Sequence, residues 1–191
     1  MKHSLAVTGG IGVGKTYVCR RLERLGVPVL SADTVARRLM TEDGCLRASV
    51  ERLIGESIVD GEGRLQKPVI AEFIAREGAG RLNALVWPRV RRAVREWIES
   101  RKEEVVAVEC ALLYEAGWER DFERVVLVDA PREVRIARVV ARDGKTPREV
   151  EQWMGRQLDE EEKRRRADVV LLNDGAADVD RQLQELIDGI L

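Results

Sequence analysis

The sequence predicts an α/β protein built on a parallel sheet of five strands flanked by helices. Five short runs rich in Val and Leu lack the alternation of polar and apolar residues, which is typical of strands buried on both faces. Helical patterns separate these runs along the chain and favour a doubly wound sheet. The predicted strands are residues 5–8, 27–30, 105–108, 125–128 and 169–172.

Length and charge limit the classes of protein to consider. The chain has 191 residues, 45% of them hydrophobic, which suits one α/β domain with a small insert. A net charge of −1 gives no general attraction to nucleic acid, and no apolar stretch approaches membrane-spanning length. We therefore expect no nucleic-acid partner and no membrane association. The sequence does not give the oligomeric state, and a monomer is favoured.

The cysteines and the first residues bear on the cellular compartment. Cys19, Cys45 and Cys110 are widely spaced and match no metal motif, so we expect reduced thiols in a cytoplasmic protein. Met1 leads directly into the first predicted strand, and we expect no signal peptide.

A glycine-rich octapeptide, residues 9–16, follows the first predicted strand and reads Gly-Gly-Ile-Gly-Val-Gly-Lys-Thr. It fits the pattern G-x-x-x-x-G-K-[ST], in which a curled backbone points N–H groups at phosphate oxygens and the next helix adds the positive end of its dipole. The lysine of this motif reaches the β- and γ-phosphates, and the hydroxyl binds Mg²⁺. The alternative is a plain glycine turn. The predicted ATP-binding residues here are Gly10, Ile11, Gly12, Val13, Gly14, Lys15 and Thr16, and Thr16 is also a predicted metal ligand.

Asp33 follows the second predicted strand, in Ser31-Ala32-Asp33. The carboxyl ends of parallel strands form one ligand crevice, so we expect Asp33 beside the glycine-rich loop. A carboxylate there can orient an acceptor hydroxyl and take its proton during phosphoryl transfer. The alternative is an N-cap for a helix over residues 34–40.

Between the second and third strands, about seventy residues contain no convincing strand. They predict helices at 33–40, 46–53, 68–76 and 81–99. A helical insert of this size is a usual place for a substrate-binding cap.

Glu109 ends the third predicted strand. An acidic residue there resembles a second Mg²⁺ ligand of nucleotide-binding loops, and a simple polar strand end is an equal alternative. After the last strand, Asn173-Asp174-Gly175 can present backbone groups to an adenine ring or form a plain turn.

Residues 131–167 predict a second helical excursion, rich in arginine and too polar to form core. One interpretation is a solvated helix pair with i,i+4 ion pairs. The favoured interpretation is a mobile lid that brings arginine to the phosphates. Arg142 is then a candidate for neutralising charge on the transferring group.

Several further motifs make the chain resemble the dephospho-CoA kinase family over almost its whole length. They are Thr8–Thr16 with its Thr-Gly-Gly-Ile-Gly opening, Ser31-Ala32-Asp33-Thr34-Val35-Ala36-Arg37, Leu82-Asn83-Ala84-Leu85-Val86-Trp87-Pro88, Ala111-Leu112-Leu113-Tyr114-Glu115, Arg142-Asp143 and Arg166-Ala167-Asp168-Val169-Val170-Leu171-Leu172-Asn173-Asp174-Gly175.

The resemblance implies a P-loop kinase fold and an ATP- and Mg²⁺-dependent enzyme that phosphorylates the 3′-hydroxyl of the dephospho-CoA ribose. It implies Asp33 as the base, with Lys15 and Arg142 assisting, and a helical insert that holds the acceptor. Tyr17, Asn173 and Gly175 complete the expected ATP site. The expected division is a core of 1–35, 103–130 and 168–191, an insert of 36–102 and a lid of 131–167.

The chain also departs from the family pattern. Ser31 stands where an aspartate is frequent, Trp87 where histidine precedes the proline, and Tyr17 where a small hydroxyl residue is common. Two other functions remain open on the residues alone. One is a kinase for another small acceptor, such as a nucleoside monophosphate or shikimate, and the other is a regulatory nucleotide switch.

Overall fold

The computed structural model describes residues 2–191, which form two compact units. The first unit comprises the residues up to Val29 together with Arg101–Leu191, and the second is Leu30–Ser100. The second unit begins before the predicted insert, so Asp33 lies within it. No helix among residues 2–191 combines the length and the apolar character needed to cross a bilayer.

The sheet is five-stranded and parallel, in the order β2-β3-β1-β4-β5. Its strands are β1 (His3–Thr8), β2 (Val29–Ser31), β3 (Val105–Glu109), β4 (Arg124–Asp129) and β5 (Val169–Leu172). All five predicted strands are therefore confirmed, although the second lies slightly later than predicted. Pro28 precedes that strand, and its carbonyl accepts the Ala107 N–H at 2.9 Å.

The central strand β1 pairs with β3 on one side and with β4 on the other. Val7 is level with Glu109, and Asp129 on β4 is level with Leu172 on β5. Because the strands are parallel, their carboxyl ends meet at one edge of the sheet. This edge carries the glycine-rich loop after β1, Glu109 at the end of β3 and Asn173 directly after β5.

Nine α-helices occur within residues 2–191. They are α1 (Lys15–Arg24), α2 (Ala32–Glu42), α3 (Gly44–Ile54), α4 (Lys67–Glu77), α5 (Gly80–Ser100), α6 (Arg132–Asp143), α7 (Pro147–Met154), α8 (Glu160–Arg166) and α9 (Val179–Asp188). In the first unit, α1 and α9 bury Leu22 and Leu183 against Leu5 and Val126 of the sheet. Fully burying a leucine contributes about 1.5–3 kcal/mol, so this apolar layer holds β1 and the loop that follows it.

Side-chain caps set the beginnings of α2 and α3, the first two helices of the second unit. Ser31 Oγ accepts the Thr34 N–H at 3.4 Å and caps α2, while Asp43 Oδ1 accepts the Leu46 N–H at 3.0 Å and caps α3. The alternative prediction of Asp33 as the cap is therefore wrong, because the helix begins at Ala32. The four helices predicted for this region are confirmed and extend one or two residues beyond their predicted ends.

Candidate phosphate-binding site

The glycine-rich loop runs from the end of β1 into α1, and Gly14 is the N-cap of that helix. Gly14 has φ 89°, a left-handed conformation that side chains disfavour. A Cβ there would also lie 2.4 Å from Asn173 Nδ2. The N–H groups at the start of α1 point along the helix axis and carry the positive end of its dipole, which makes this end of the helix an anion-binding cradle.

Lys15 Nζ lies at the opening of this loop. It donates to the carbonyl oxygens of Gly9, at 2.8 Å, and Gly10, at 3.2 Å. The ammonium group is therefore held beside the first residues of the loop, while the amides of α1 lie at its other end. In loops of this kind the lysine meets the β- and γ-phosphates, so Gly9 and Gly10 mark the γ-phosphate end.

The middle of the loop is fixed by Asn173 and Arg138. The Val13 carbonyl accepts a hydrogen bond from Asn173 Nδ2 at 2.8 Å and one from Arg138 Nη1 at 3.3 Å. Arg138 Nη1 also donates to the Asn173 carbonyl at 2.9 Å. Asn173 is buried, so its amide acts on the loop itself. Arg138 was missed among the candidate site residues because it is one of many arginines on α6.

A cavity of 410 Å³ opens beside the loop, within the size range of ligand pockets. It brings together Tyr17, Asn173 and Gly175, three residues of the predicted ATP site, and adds Arg138. The cavity is lined by Gly14, Tyr17, Arg138, Asn173, Gly175, Ala177 and Val179.

Tyr17 is oriented at the rim of this cavity by Arg21. Arg21 Nη2 donates to the tyrosine hydroxyl at 2.8 Å, and its guanidinium lies 4.9 Å from the ring centroid. Arg21 also pairs with Asp180 at 2.8 Å. A positioned aromatic ring and the Arg138 guanidinium are both suited to stacking on a planar base.

Ile11 is held from both sides by residues of the predicted lid. Its N–H donates to Gln157 Oε1 at 2.8 Å, and its carbonyl accepts Arg135 Nε at 2.9 Å. These two bonds fix the peptide units before and after Ile11.

Arg135, Glu160 and Lys163 form an ionic cluster behind the loop. Glu160 Oε1 lies 3.0 Å from Arg135 Nη1 and 3.1 Å from Lys163 Nζ. Arg135 and Lys163 are only 3% and 2% exposed, so the prediction that this segment is too polar for the core is wrong at these positions. One carboxylate shared by two cations makes their burial possible.

The cluster explains the absence of a side chain at Gly10. A Cβ there would lie 2.2 Å from Arg135 Nη2 and 2.4 Å from Glu160 Oε1. The α6 backbone is equally close to Gly12, where a Cβ would meet the Arg135 carbonyl oxygen at 2.6 Å. The glycines of the loop therefore let α6 and α8 approach its backbone.

The rest of the charged segment contains local ion pairs. Lys145 pairs with Glu149 at the expected i,i+4 spacing, whereas Arg164 pairs with Glu161 and Arg165 with Glu162 at i,i+3. Arg142 is exposed at the end of α6, where it forms two hydrogen bonds of 2.7 Å with Asp143. The arginines that contact the loop are therefore Arg135 and Arg138. The role of Arg142 in neutralising charge on the transferring group stays a prediction.

Thr16 and Glu109 lie close enough to share a cation. Thr16 Oγ1 is 3.5 Å from Glu109 Oε1, and both are oxygen ligands of the kind that Mg²⁺ prefers. No group of three or more metal-binding His, Cys, Asp or Glu side chains occurs within residues 2–191. Two oxygen donors suit Mg²⁺, which commonly takes one or two protein ligands and completes its shell with phosphates and water.

The Asp33 carboxylate is accessible to a substrate, whereas the Cys19 thiol is too buried to act as a nucleophile. Asp33 is exposed on the first turn of α2, and its carboxylate has no recorded hydrogen bond with residues 2–191. Burial, reinforced by the negative charge of Glu109, raises the pKa of the Cys19 thiol to about 12. That thiol therefore stays protonated at neutral pH and is not a nucleophile.

A parallel sheet with a phosphate-binding loop after its central strand, capped by helices rich in arginine, defines the P-loop kinase class. A shikimate kinase from Bacteroides thetaiotaomicron has the same fold, with a TM-score of 0.54 at 19% identity over 97% of this chain and 98% of that one.

The chain belongs to the dephospho-CoA kinase family, whose model matches residues 3–178. A dephospho-CoA kinase from Bacteroides fragilis is 35% identical over 98% of this chain and 92% of its own length. A crystal structure from Thermus thermophilus is 35% identical and covers 100% of this chain and 98% of that one, with a TM-score of 0.86.

The contact of Gly10 with the ionic cluster predicts the effect of adding one methyl group. In Gly10→Ala the methyl must displace Arg135 or Glu160, whose side chains are held by Ile11 and by each other. We expect ATP affinity, measured by calorimetry, to fall by about tenfold or more, since small displacements of a binding loop have large effects. Gly44→Ala is the control because nothing lies within 4 Å of its added Cβ. Equal ATP affinity in both variants would contradict the packing argument.

The shared carboxylate predicts a stability effect. Glu160→Gln leaves two buried cations without a counter-charge, so we expect a loss of about 2 kcal/mol and a melting temperature lower by about 4–8 °C. The neighbouring Glu161→Gln removes an exposed partner of Arg164 and should change the melting temperature little. Similar melting temperatures for the two variants, measured by calorimetry, would show that the cluster does not stabilise the fold.

Proposed function

We propose that this protein transfers the γ-phosphoryl group of ATP to the 3′-hydroxyl of the dephospho-CoA ribose, producing coenzyme A and ADP. The observation that carries the proposal is the kinship with dephospho-CoA kinases over nearly the whole chain. The glycine-rich loop supports it by providing an anion cradle, but the loop alone fits many nucleotide-binding proteins.

ATP would bind along the carboxyl edge of the sheet. The loop amides and Lys15 would hold its phosphates, and the cavity between Tyr17 and Arg138 would hold adenine. The Val13 carbonyl, bonded to both Asn173 and Arg138, supports this arrangement because it joins the phosphate loop to the cavity. Mg²⁺ bound by Thr16 and Glu109 would neutralise charge on the phosphates.

In the proposed transfer, the acceptor oxygen forms a bond to the γ-phosphorus as the bond to the β–γ bridging oxygen breaks. Asp33 takes the hydroxyl proton, and ADP leaves with the bridging oxygen. Lys15 balances the charge that develops on the departing phosphates. Arg142 would supply a second cation once it exchanges Asp143 for the nucleotide.

The helices of the second unit, α2–α5, are the proposed acceptor-binding region. Asp33 belongs to this unit, which supports a role in acceptor chemistry and not in ATP binding. We propose that the reaction occurs in the cytoplasm, where the three free thiols would remain reduced.

ADP release, measured with and without dephospho-CoA, tests the function. We expect release only with dephospho-CoA, formation of an equal amount of coenzyme A, and little turnover of shikimate or nucleoside monophosphates. Lys15→Ala is the inactive control because it removes the cation at the γ-phosphate end of the loop. ATP consumption that is independent of the acceptor, or is faster with another acceptor, would overturn the proposal.

The role of Asp33 predicts a separation between binding and transfer. In Asp33→Asn we expect kcat to fall by about a hundredfold or more, while the ATP dissociation constant stays within about threefold. The melting temperature should hardly change, because Ser31 caps the helix. Glu42→Gln, at the other end of α2, is the matched control. A normal kcat in Asp33→Asn would require another proton acceptor, with Glu109 the first candidate.

A further inference from the structure

Gln157 lies between α7 and α8, and the role described for it above, holding the Ile11 N–H, uses one end of its side-chain amide. Its Oε1 accepts the Ile11 N–H, so the other end of the carboxamide, Nε2, carries two N–H donors. Within residues 2–191, Nε2 makes no hydrogen bond. Gln157, a residue of the predicted lid, thus contacts the phosphate loop through Oε1 and keeps two N–H donors on Nε2 for a ligand.

The position of Ile11 along the loop indicates which phosphate these donors would meet. Lys15 Nζ is bonded to the carbonyls of Gly9 and Gly10, directly before Ile11. That ammonium meets the β- and γ-phosphates, whereas the amides near α1 cradle the α- and β-phosphates. Gln157 is therefore attached to the γ-phosphate end of the loop.

The backbone around Gln157 is fixed on its C-terminal side. The Leu158 N–H donates to Glu115 Oε1 at 3.3 Å. Asp159 Oδ1 caps α8 by accepting the N–H groups of Glu161, at 2.9 Å, and Glu162, at 3.2 Å. On the loop side, Arg135 holds the Ile11 carbonyl. The carboxamide is thus presented from a pre-organised linker and not from a free loop end.

We propose that Gln157 determines the preference for ATP over ADP by contacting the γ-phosphate. With Oε1 on the Ile11 N–H, Nε2 donates to a γ-phosphoryl oxygen, a bond for which ADP has no acceptor. The proposal rests on ATP as the phosphoryl donor but not on the identity of the acceptor. Hydrogen bonds to charged groups are about twice as strong as neutral ones, so the contact should be measurable.

Nucleotide binding without any acceptor tests this role. Calorimetry with Mg²⁺ would compare adenylyl imidodiphosphate, a non-hydrolysable ATP analogue, with ADP. Gln157→Met keeps the length of the side chain and removes both polar groups, so the analogue should bind about tenfold more weakly and ADP within about twofold of wild type. Gln157→Glu keeps an acceptor for the Ile11 N–H but replaces the donor with negative charge. We expect a loss of about a hundredfold for the analogue and a much smaller one for ADP.

Gln152→Met is the matched control, because Gln152 is an exposed glutamine on α7. It should leave both affinities at their wild-type values. Equal losses of affinity for the analogue and ADP in Gln157→Met would mean that Gln157 only holds the loop. Unchanged affinities would mean that Gln157 neither holds the loop nor contacts the γ-phosphate. Both results would overturn the proposal. If the unmodified protein binds the analogue but forms no coenzyme A from ATP and dephospho-CoA, only the proposed acceptor is wrong, and the role of Gln157 is unaffected.

Discussion

Close packing behind a glycine-rich backbone is the constraint on which the nucleotide site depends. The loop must turn its N–H groups toward an anion, so its carbonyls and its rear surface need other partners. Val13 finds them in Asn173 and Arg138, and Ile11 in Arg135. The Arg135 side chain at Gly10, the Arg135 backbone at Gly12 and the Asn173 side chain at Gly14 all approach so closely that a Cβ would clash. The glycines therefore serve the packing as much as the curvature of the loop.

This packing gives the charged segment after β4 two different parts. Arg135, Glu160 and Lys163 are part of the structure that supports the loop, whereas Arg142 is exposed and pairs with its neighbour Asp143. Losing the carboxylate would be costly because it leaves two buried cations without a counter-charge, but the intact cluster adds little over apolar packing, since removing charges from water is also costly. Their contribution is to position the loop, and this links the stability of α8 to the geometry of the phosphate site.

The sequence was sufficient for the sheet, the loop and the class of protein, because these depend on local patterns. Buried strands read as apolar runs, and the loop needs fixed residue types at fixed spacing. Arg135, Arg138 and Gln157 could not be selected in this way, since their partners lie 124, 125 and 146 residues away. Nothing local distinguishes them from the other polar residues of the segment 131–167. The alternative prediction that Asp33 caps α2 failed for a simpler reason. Ser31 and Asp33 are both favourable N-cap residues, and only the first residue of the helix decides between them.

Hydrogen exchange of the Ile11 amide in the nucleotide-free protein tests the central claim most directly. If the predicted lid segment holds the loop in advance of the nucleotide, this amide is bonded to Gln157 and should exchange far more slowly than the exposed amide of Gly61. NMR can follow both amides in one sample. Exchange of Ile11 as fast as that of Gly61 would contradict the account, because the loop would then acquire its shape only when the nucleotide binds.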